Sequence, residues 1–324
     1  MALLFEPDGH SGGGGPPMAE GYVHELGLYA SDEEFRALVV PFALGGLRDA
    51  EPVVFAYDTY KTELLRSWLP ASPGISYVSD FGPYAAPAKA LVAWRNLVKR
   101  HLSAGAPRAR IAGNVPHPGY GRPYAGWDRY EAAIDRALGD LPVWAPCLYD
   151  ARIAPQDVLA AALRRHRLLL GSDGAHRANG YFQPARGLAD FLSAPPDPLE
   201  ATAPVAELTT PTPAGVRAAL RHLAGGILSA EQCDDLVLAA SEAVANALEH
   251  GVPPVMVRIW RGEGRVVINV HDQGAGPQDP LAGLLPAGER GEDGRGLWMV
   301  HQLSIDVALS AAAGGFTVRL SAAA

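Results

Sequence analysis

Ser241-Glu-Ala-Val-Ala-Asn-Ala-Leu-Glu-His-Gly251, followed by His271-Asp-Gln-Gly-Ala-Gly276 and then by Gly294-Arg-Gly-Leu297, decides how the last third of the chain is read. Residues 231–250 repeat with a helical period, so Glu242, Asn246 and His250, at i, i+4 and i+8, share one face. Leu236, Val237, Ala240, Val244 and Leu248 are expected on the opposite, core-facing side. Asn246 offers a neutral amide oxygen of the kind Mg2+ accepts when it is bound partly through phosphates. Glu242, one turn earlier, is placed to position a water or take a proton from an attacking hydroxyl. Asp272 ends an expected strand, where its carboxylate can accept a hydrogen bond from the exocyclic amine of a base, and Gly274 and Gly276 let the backbone turn beside it. Gly294, Arg295, Gly296 and Leu297 then open a helix whose glycine-rich start suits phosphate oxygens. Together these pieces imply a nucleotide pocket. His250 and Gly251 suit a helix end, where a histidine favours the dipole and a glycine closes the cap.

Around these pieces the sequence predicts helices at 213–223, 230–250 and 296–303 and strands at 255–260, 265–272, 305–309 and 316–320. Helices packed on a mixed, mainly antiparallel sheet make an α+β sandwich. Residues 23–170 have a different order. Ser31 and Glu34 form a capping box ahead of a helix through Phe35, Leu38, Val39 and Phe42. Strands are expected at 52–57, 74–79 and 109–112, with helices at 61–69 and at 87–102, the latter carrying an apolar stripe of Leu91, Trp94, Leu97 and Val98. This alternation predicts an α/β domain with a mainly parallel sheet. Residues 1–19, with four consecutive glycines and Pro16-Pro17, read as a flexible leader, 20–170 as the first domain, 171–204 as a proline-punctuated linker, and 205–324 as the second domain.

Composition narrows the function classes. A chain of 324 residues with 48% hydrophobic and 19% charged residues can fill two cores. Its net charge of -8 and lack of a basic block give no support to direct nucleic-acid binding or to an anionic membrane surface. Cys147 and Cys233, far apart and outside any CxxC, argue against a disulfide framework or a thiolate zinc site. The start Met1-Ala-Leu-Leu-Phe5 lacks a basic region and soon meets Glu6, and no apolar run reaches membrane-spanning length, so the expectation is a cytoplasmic, reduced protein.

Residues 205–322 resemble the GHKL (Bergerat-fold) ATPase superfamily, specifically its anti-sigma-factor serine kinase branch. Glu242 and Asn246 match the N box, Asp272, Gly274 and Gly276 the adenine-binding G1 box, and Gly294 and Gly296 the G2 box. The resemblance implies ATP with Mg2+ bridged by Asn246, adenine read by Asp272, and Glu242 as the general base for a protein hydroxyl. It also implies a short lid between Gly276 and Gly294, and homodimerisation. A sensor histidine kinase would need a phosphoacceptor histidine on a dimerising hairpin beside an acidic residue. Arg164-Arg-His-Arg167 has basic neighbours instead.

In the first domain, Lys61-Thr62 follow a strand where a P-loop would carry Lys-Ser/Thr, but Phe55 and Tyr60 replace both glycines, so the segment reads as a relic. His24-Glu-Leu-Gly-Leu-Tyr29, Gly46-Leu-Arg-Asp-Ala-Glu51 and Cys147-Leu-Tyr-Asp150 resemble the MEDS domain, a sensory module related to degenerate RecA-like or KaiC-like ATPases whose proposed ligands are small organic molecules. His24, Tyr29, Cys147 and Tyr149 are the candidate ligand contacts. The bland alternatives are that His24 and Tyr29 satisfy each other in the core and that Cys147 is a small buried hydrophobe. His24 and Cys147 alone are too few ligands to argue a metal site.

The combined expectation is an anti-sigma regulator working by partner switching. Its ATPase domain would sequester a sigma factor and phosphorylate a Ser or Thr of a STAS-type antagonist, under control of the sensory domain. The alternative is a nucleotide-gated binding protein without phosphotransfer.

Overall fold

The computed structural model describes residues 21–324 except 79–85, 114, 123, 125, 192–193, 263, 286–294, 304 and 313. The expected leader and Gly294 therefore lie outside the described residues.

The first unit runs β1 (Tyr22–Tyr29), α1 (Asp32–Arg48), β2 (Val53–Ala56), α2 (Thr59–Trp68), β3 (Ile75–Val78), α3 (Pro87–Ser103), β4 (Ala109–Gly113), α4 (Trp127–Leu138), β5 (Val143–Asp150), α5 (Gln156–Arg165), β6 (Leu168–Leu170) and β7 (His176–Ala178). The sheet order is β3-β2-β4-β5-β1-β6-β7. Every neighbouring pair is parallel except β6 and β7. Such a sheet is covered by helices on both faces, so its strands are buried almost without interruption, as β1 and β5 are. One core, under α3, α4 and α5, gathers Leu26, Leu91, Trp94, Tyr130 and Tyr149, while the other, under α1 and α2, gathers Phe35, Leu38, Phe42, Phe55 and Trp144. At the start of α1 Ser31 caps the helix, its Oγ accepting from Glu34 N at 3.1 Å, but the return bond of a capping box is shifted by one residue: Glu34 Oε2 accepts from Ala30 N at 2.6 Å, ahead of the N-cap.

Residues 171–204 carry more structure than a linker reading supplies. A turn at Gly174, whose φ of 76° suits glycine, returns the chain so that β7 extends the sheet antiparallel to β6. Further on, the ring of the buried Phe191 lies under the Arg165 guanidinium, 4.4 Å from its carbon.

The second unit runs β8 (Ala206–Leu208), α6 (Pro213–Ala224), α7 (Ala230–His250), β9 (Met256–Gly262), β10 (Arg265–Asp272), α8 (Arg295–Gln302), β11 (Asp306–Ala312) and β12 (Gly315–Ala323). Its sheet, β11-β12-β10-β9-β8, is antiparallel at every described pair, where a mixed sheet was expected, and β8 adds an edge strand that the sequence reading left out. Burial alternates along β12, as it does when only one face of a sheet is covered. That face packs Val257, Ile259, Val266, Ile268 and Leu320 against Leu236, Ala240, Ala243, Val244 and Ala247 of α7. Leu248, expected on this face, is 51% exposed. A row of residues four apart turns by about 40° at each step, because four residues exceed one turn of 3.6. The row that starts in the core at Leu236 has therefore swung to the surface by Leu248. Among the described residues, no helix is long and apolar enough to cross a membrane.

Candidate functional site

Register places the acidic end of β10. Asp272 pairs with Phe316 at the last rung of the β10–β12 ladder. Its Oδ1 accepts from Gly274 N at 2.7 Å and from Val252 N at 3.1 Å, while Gln273 N donates to Val252 O at 2.8 Å. These bonds stitch the turn after α7 to the end of β10. They hold the C-terminal half of α7, with the half-buried Glu242 and Asn246, at the same end of the sheet as Asp272. Gly276 has φ 79°, and a Cβ there would lie 2.6 Å from the Phe316 ring. Gly296 is the closer constraint: an added Cβ would stand 1.6 Å from Glu242 Oε1, so the first turn of α8 rests on that carboxylate. His250 is exposed at the end of α7, where Gly251 N donates to Ala247 O.

The residues that are present fit a nucleotide with Mg2+. A buried carboxylate at a strand end, an amide oxygen one helical turn after a carboxylate, and a helix first turn that carries Gly296 occupy one end of the sandwich.

The segment that follows Gly276 is docked on the first unit. Arg129 of α4 donates from Nε to Pro280 O at 3.1 Å and from Nη2 to Ala282 O at 2.8 Å, and Arg136 Nη1 lies 3.0 Å from Asp279 Oδ2. Leu284, 1% exposed, is a member of the first unit's core. At Gly283, with φ 81°, an added Cβ would meet Leu297 and His301 of α8. His301 is buried, and burial followed by the nearby Arg129 pushes its pKa down to about 3. Sequence reasoning missed this contact, because residues 129 and 280 are brought together only by tertiary packing.

Of the four sensory candidates, three come together. His24 Nε2 lies 3.2 Å from Cys147 Sγ and 3.3 Å from Glu131 Oε2, and Tyr149 Oη donates to Glu131 Oε1 at 2.6 Å. Tyr29 is elsewhere: it packs on Phe35 in the opposite core, under the Lys61 ammonium. Side chains alternate along a strand, so positions 24 and 29 face opposite sides, which also prevents the expected mutual pairing. His24 Nδ1 instead meets Asp135 Oδ1 at 2.9 Å. Glu131 and His166 are the members the sequence reading missed. The available signal was a glutamate inside the apolar stripe of α4, among Trp127, Tyr130 and Ile134. The relic P-loop lysine is occupied, since buried Lys61 Nζ lies 3.1 Å from Asp150 Oδ2 and 3.4 Å from Asp32 Oδ1.

An antiparallel sandwich with a rim suited to a nucleotide is joined to a mainly parallel α/β unit with an ionisable interior. Residues 206–322 match the histidine kinase-like ATPase domain, and residues 23–167 match MEDS, the MEthanogen/methylotroph, DcmR Sensory domain. The chain is therefore a fusion of a MEDS domain with a histidine kinase-like ATPase domain. No match to a curated protein was found.

Proposed function

We propose that the protein is a cytoplasmic anti-sigma regulator whose C-terminal domain binds Mg-ATP and phosphorylates a Ser or Thr of a STAS-type antagonist, sequesters a sigma factor, or does both, under control of the MEDS domain. The observation that carries this reading is the placing of Glu242 against Gly296, with Asn246 one turn on and Asp272 at the adjoining strand end.

In this reading, bound ATP supplies the phosphoryl group and Mg2+ offsets its charge. Asn246 would hold the ion through its amide oxygen. Asp272, with Oδ1 anchored by two backbone amides, would present its carboxylate to the exocyclic amine of adenine. The N–H groups at the start of α8, around Gly296, would receive phosphate oxygens. Glu242 would accept the proton of the attacking hydroxyl. Control would reach this site through α4, the helix that carries Glu131 in the MEDS interior and Arg129 on the segment after Gly276. A sensory ligand that binds two settings of α4 unequally would shift the population of docked segments.

Calorimetry with Mg-ATP on the full chain, compared with Asn246→Ala and Asp272→Ala, tests the pocket. Saturable binding by the wild type that is lost in both variants is the expected result. A folded wild-type chain that binds no nucleotide would sink the assignment. With an antagonist in hand, Glu242→Ala should lose phosphotransfer while keeping ATP. If activity is unchanged in that variant, the protein acts by nucleotide-gated binding alone.

A further inference from the structure

Four side chains in the MEDS interior are left unused by this reading: the buried His24 of β1, Glu131 of α4 and His166, just after α5, and the half-buried Cys147 of β5. We propose that they form a tetrahedral site for a divalent transition metal, with Zn2+ the ion the donor set favours.

The spacing has the right size. The four ligand atoms all lie within 4.8 Å of one another. Four of the six edges measure 3.2 Å (His24 Nε2 to Cys147 Sγ), 3.3 Å (His24 Nε2 to Glu131 Oε2), 3.5 Å (Cys147 Sγ to Glu131 Oε2) and 3.5 Å (His166 Nε2 to Glu131 Oε2). Zinc bonded to nitrogen and oxygen at about 2.0–2.2 Å and to sulfur at about 2.3 Å makes tetrahedral edges of about 3.3–3.6 Å.

Orientation is a second and independent observation. His166 Nδ1 is 2.8 Å from Ala162 O, which can only accept, so Nδ1 carries the proton and Nε2 presents a lone pair. That Nε2 is fully buried, has no hydrogen-bond partner among the described residues, and faces the carboxylate oxygen of Glu131. Two acceptors meeting in a dry interior without a proton repel each other, and a cation between them removes the conflict. His24 is held the same way, its Nδ1 tied to Asp135 Oδ1, and Glu131 Oε1 is held by Tyr149. Such outer partners fix the tautomer and direction of metal ligands.

Charge also balances. A thiolate and a carboxylate with two neutral imidazoles cancel a divalent ion, so the filled site adds no net charge to the core. Binding therefore displaces a proton from the thiol, and affinity should fall as the pH falls.

The test uses the full chain, stripped with a chelator and shown folded by circular dichroism, then titrated with Co2+. The expected result is one ion per chain, intense visible bands of tetrahedral Co2+, a near-ultraviolet thiolate charge-transfer band, and displacement by Zn2+. Cys147→Ser should remove the charge-transfer band, His166→Ala should weaken binding by about tenfold or more, and Cys233→Ser should change nothing. Should a variant fail to fold, the wild-type spectrum alone reports the thiolate. A folded wild-type chain that takes up no stoichiometric Co2+, or a thiolate band that follows Cys233, would overturn the proposal and leave the cluster as a hydrogen-bonded core or an organic-ligand pocket.

Discussion

The two sheets bury different kinds of residue. Among the described residues, thirteen of the fifteen buried polar or charged side chains, from His24 to Asn179, belong to the N-terminal part of the chain. The two others, Asp272 and His301, sit at the end of β10 and at the contact with α4. Sheet architecture accounts for the difference. A parallel sheet covered on both faces leaves no wet side, so any polar residue on its central strands needs a partner inside. A one-sided sandwich keeps its apolar face pure and carries its chemistry on the rim. The MEDS half thus holds ionisable groups where a small change in occupancy or protonation is felt by packed helices, while the ATPase half exposes its chemistry to a ligand in solution.

Among the buried polar groups of the MEDS half, Glu131 has His24, Cys147, Tyr149 and His166 as partners. Glu131→Ala removes the carboxylate 3.5 Å from His166 Nε2 and the acceptor of Tyr149, and should cost about 3–5 kcal/mol, as expected when one member of a buried charged set is deleted. Urea unfolding reads it directly, and a loss below about 1 kcal/mol would mean that the cluster does not hold the domain together.

Leu284→Ala tests whether the two halves are energetically separate. This side chain belongs by sequence to the ATPase half but packs in the MEDS core, so its truncation should cost about 2–5 kcal/mol. Faster hydrogen exchange in α3 and α4 should accompany the loss. Destabilisation confined to the antiparallel sheet would contradict the docking described above.

His301, in the ATPase half, makes stability depend on pH. Its folded pKa of about 3 lies below the ordinary 6.5, so it is neutral in both states above pH 6.5 and its contribution is fully present there. As the pH falls from 6.5 toward 3, the unfolded chain takes up a proton that the folded one refuses, and stability falls by about 1.4 kcal/mol per pH unit. His301→Gln should flatten that part of the stability profile between pH 7 and pH 5 in urea titrations. An unchanged slope would assign the acid sensitivity to the MEDS interior, where His117 and His166 are held at about 4.

Much of the rim was legible because its geometry is local. Glu242 and Asn246 are one helical turn apart, and Asp272 and Gly276 span a strand end and its turn, so spacing alone places them. The same helical logic fails at Leu248, where a row of residues four apart was followed too far. Strand parity, read along 22–29, separates Tyr29 from His24 without any coordinates. His24, Glu131, Cys147 and His166 are a different case: they come from two strands, a helix and a loop, and His24 and Cys147 alone lie 123 positions apart along the chain.

The sequence by itself determined the alternation that makes a parallel sheet, the antiparallel run that follows it, and the order of motifs at the ATPase rim. These rest on short-range periodicity and turn chemistry. Only the tertiary structure decided that β1 lies between β5 and β6, that Arg129 grips the backbone at 280–282, and that two histidines, a thiol and a carboxylate converge in one dry site. Strand order and helix docking are set by which buried surfaces fit together across the whole chain, and periodicity within a single segment carries no record of the partner it will meet.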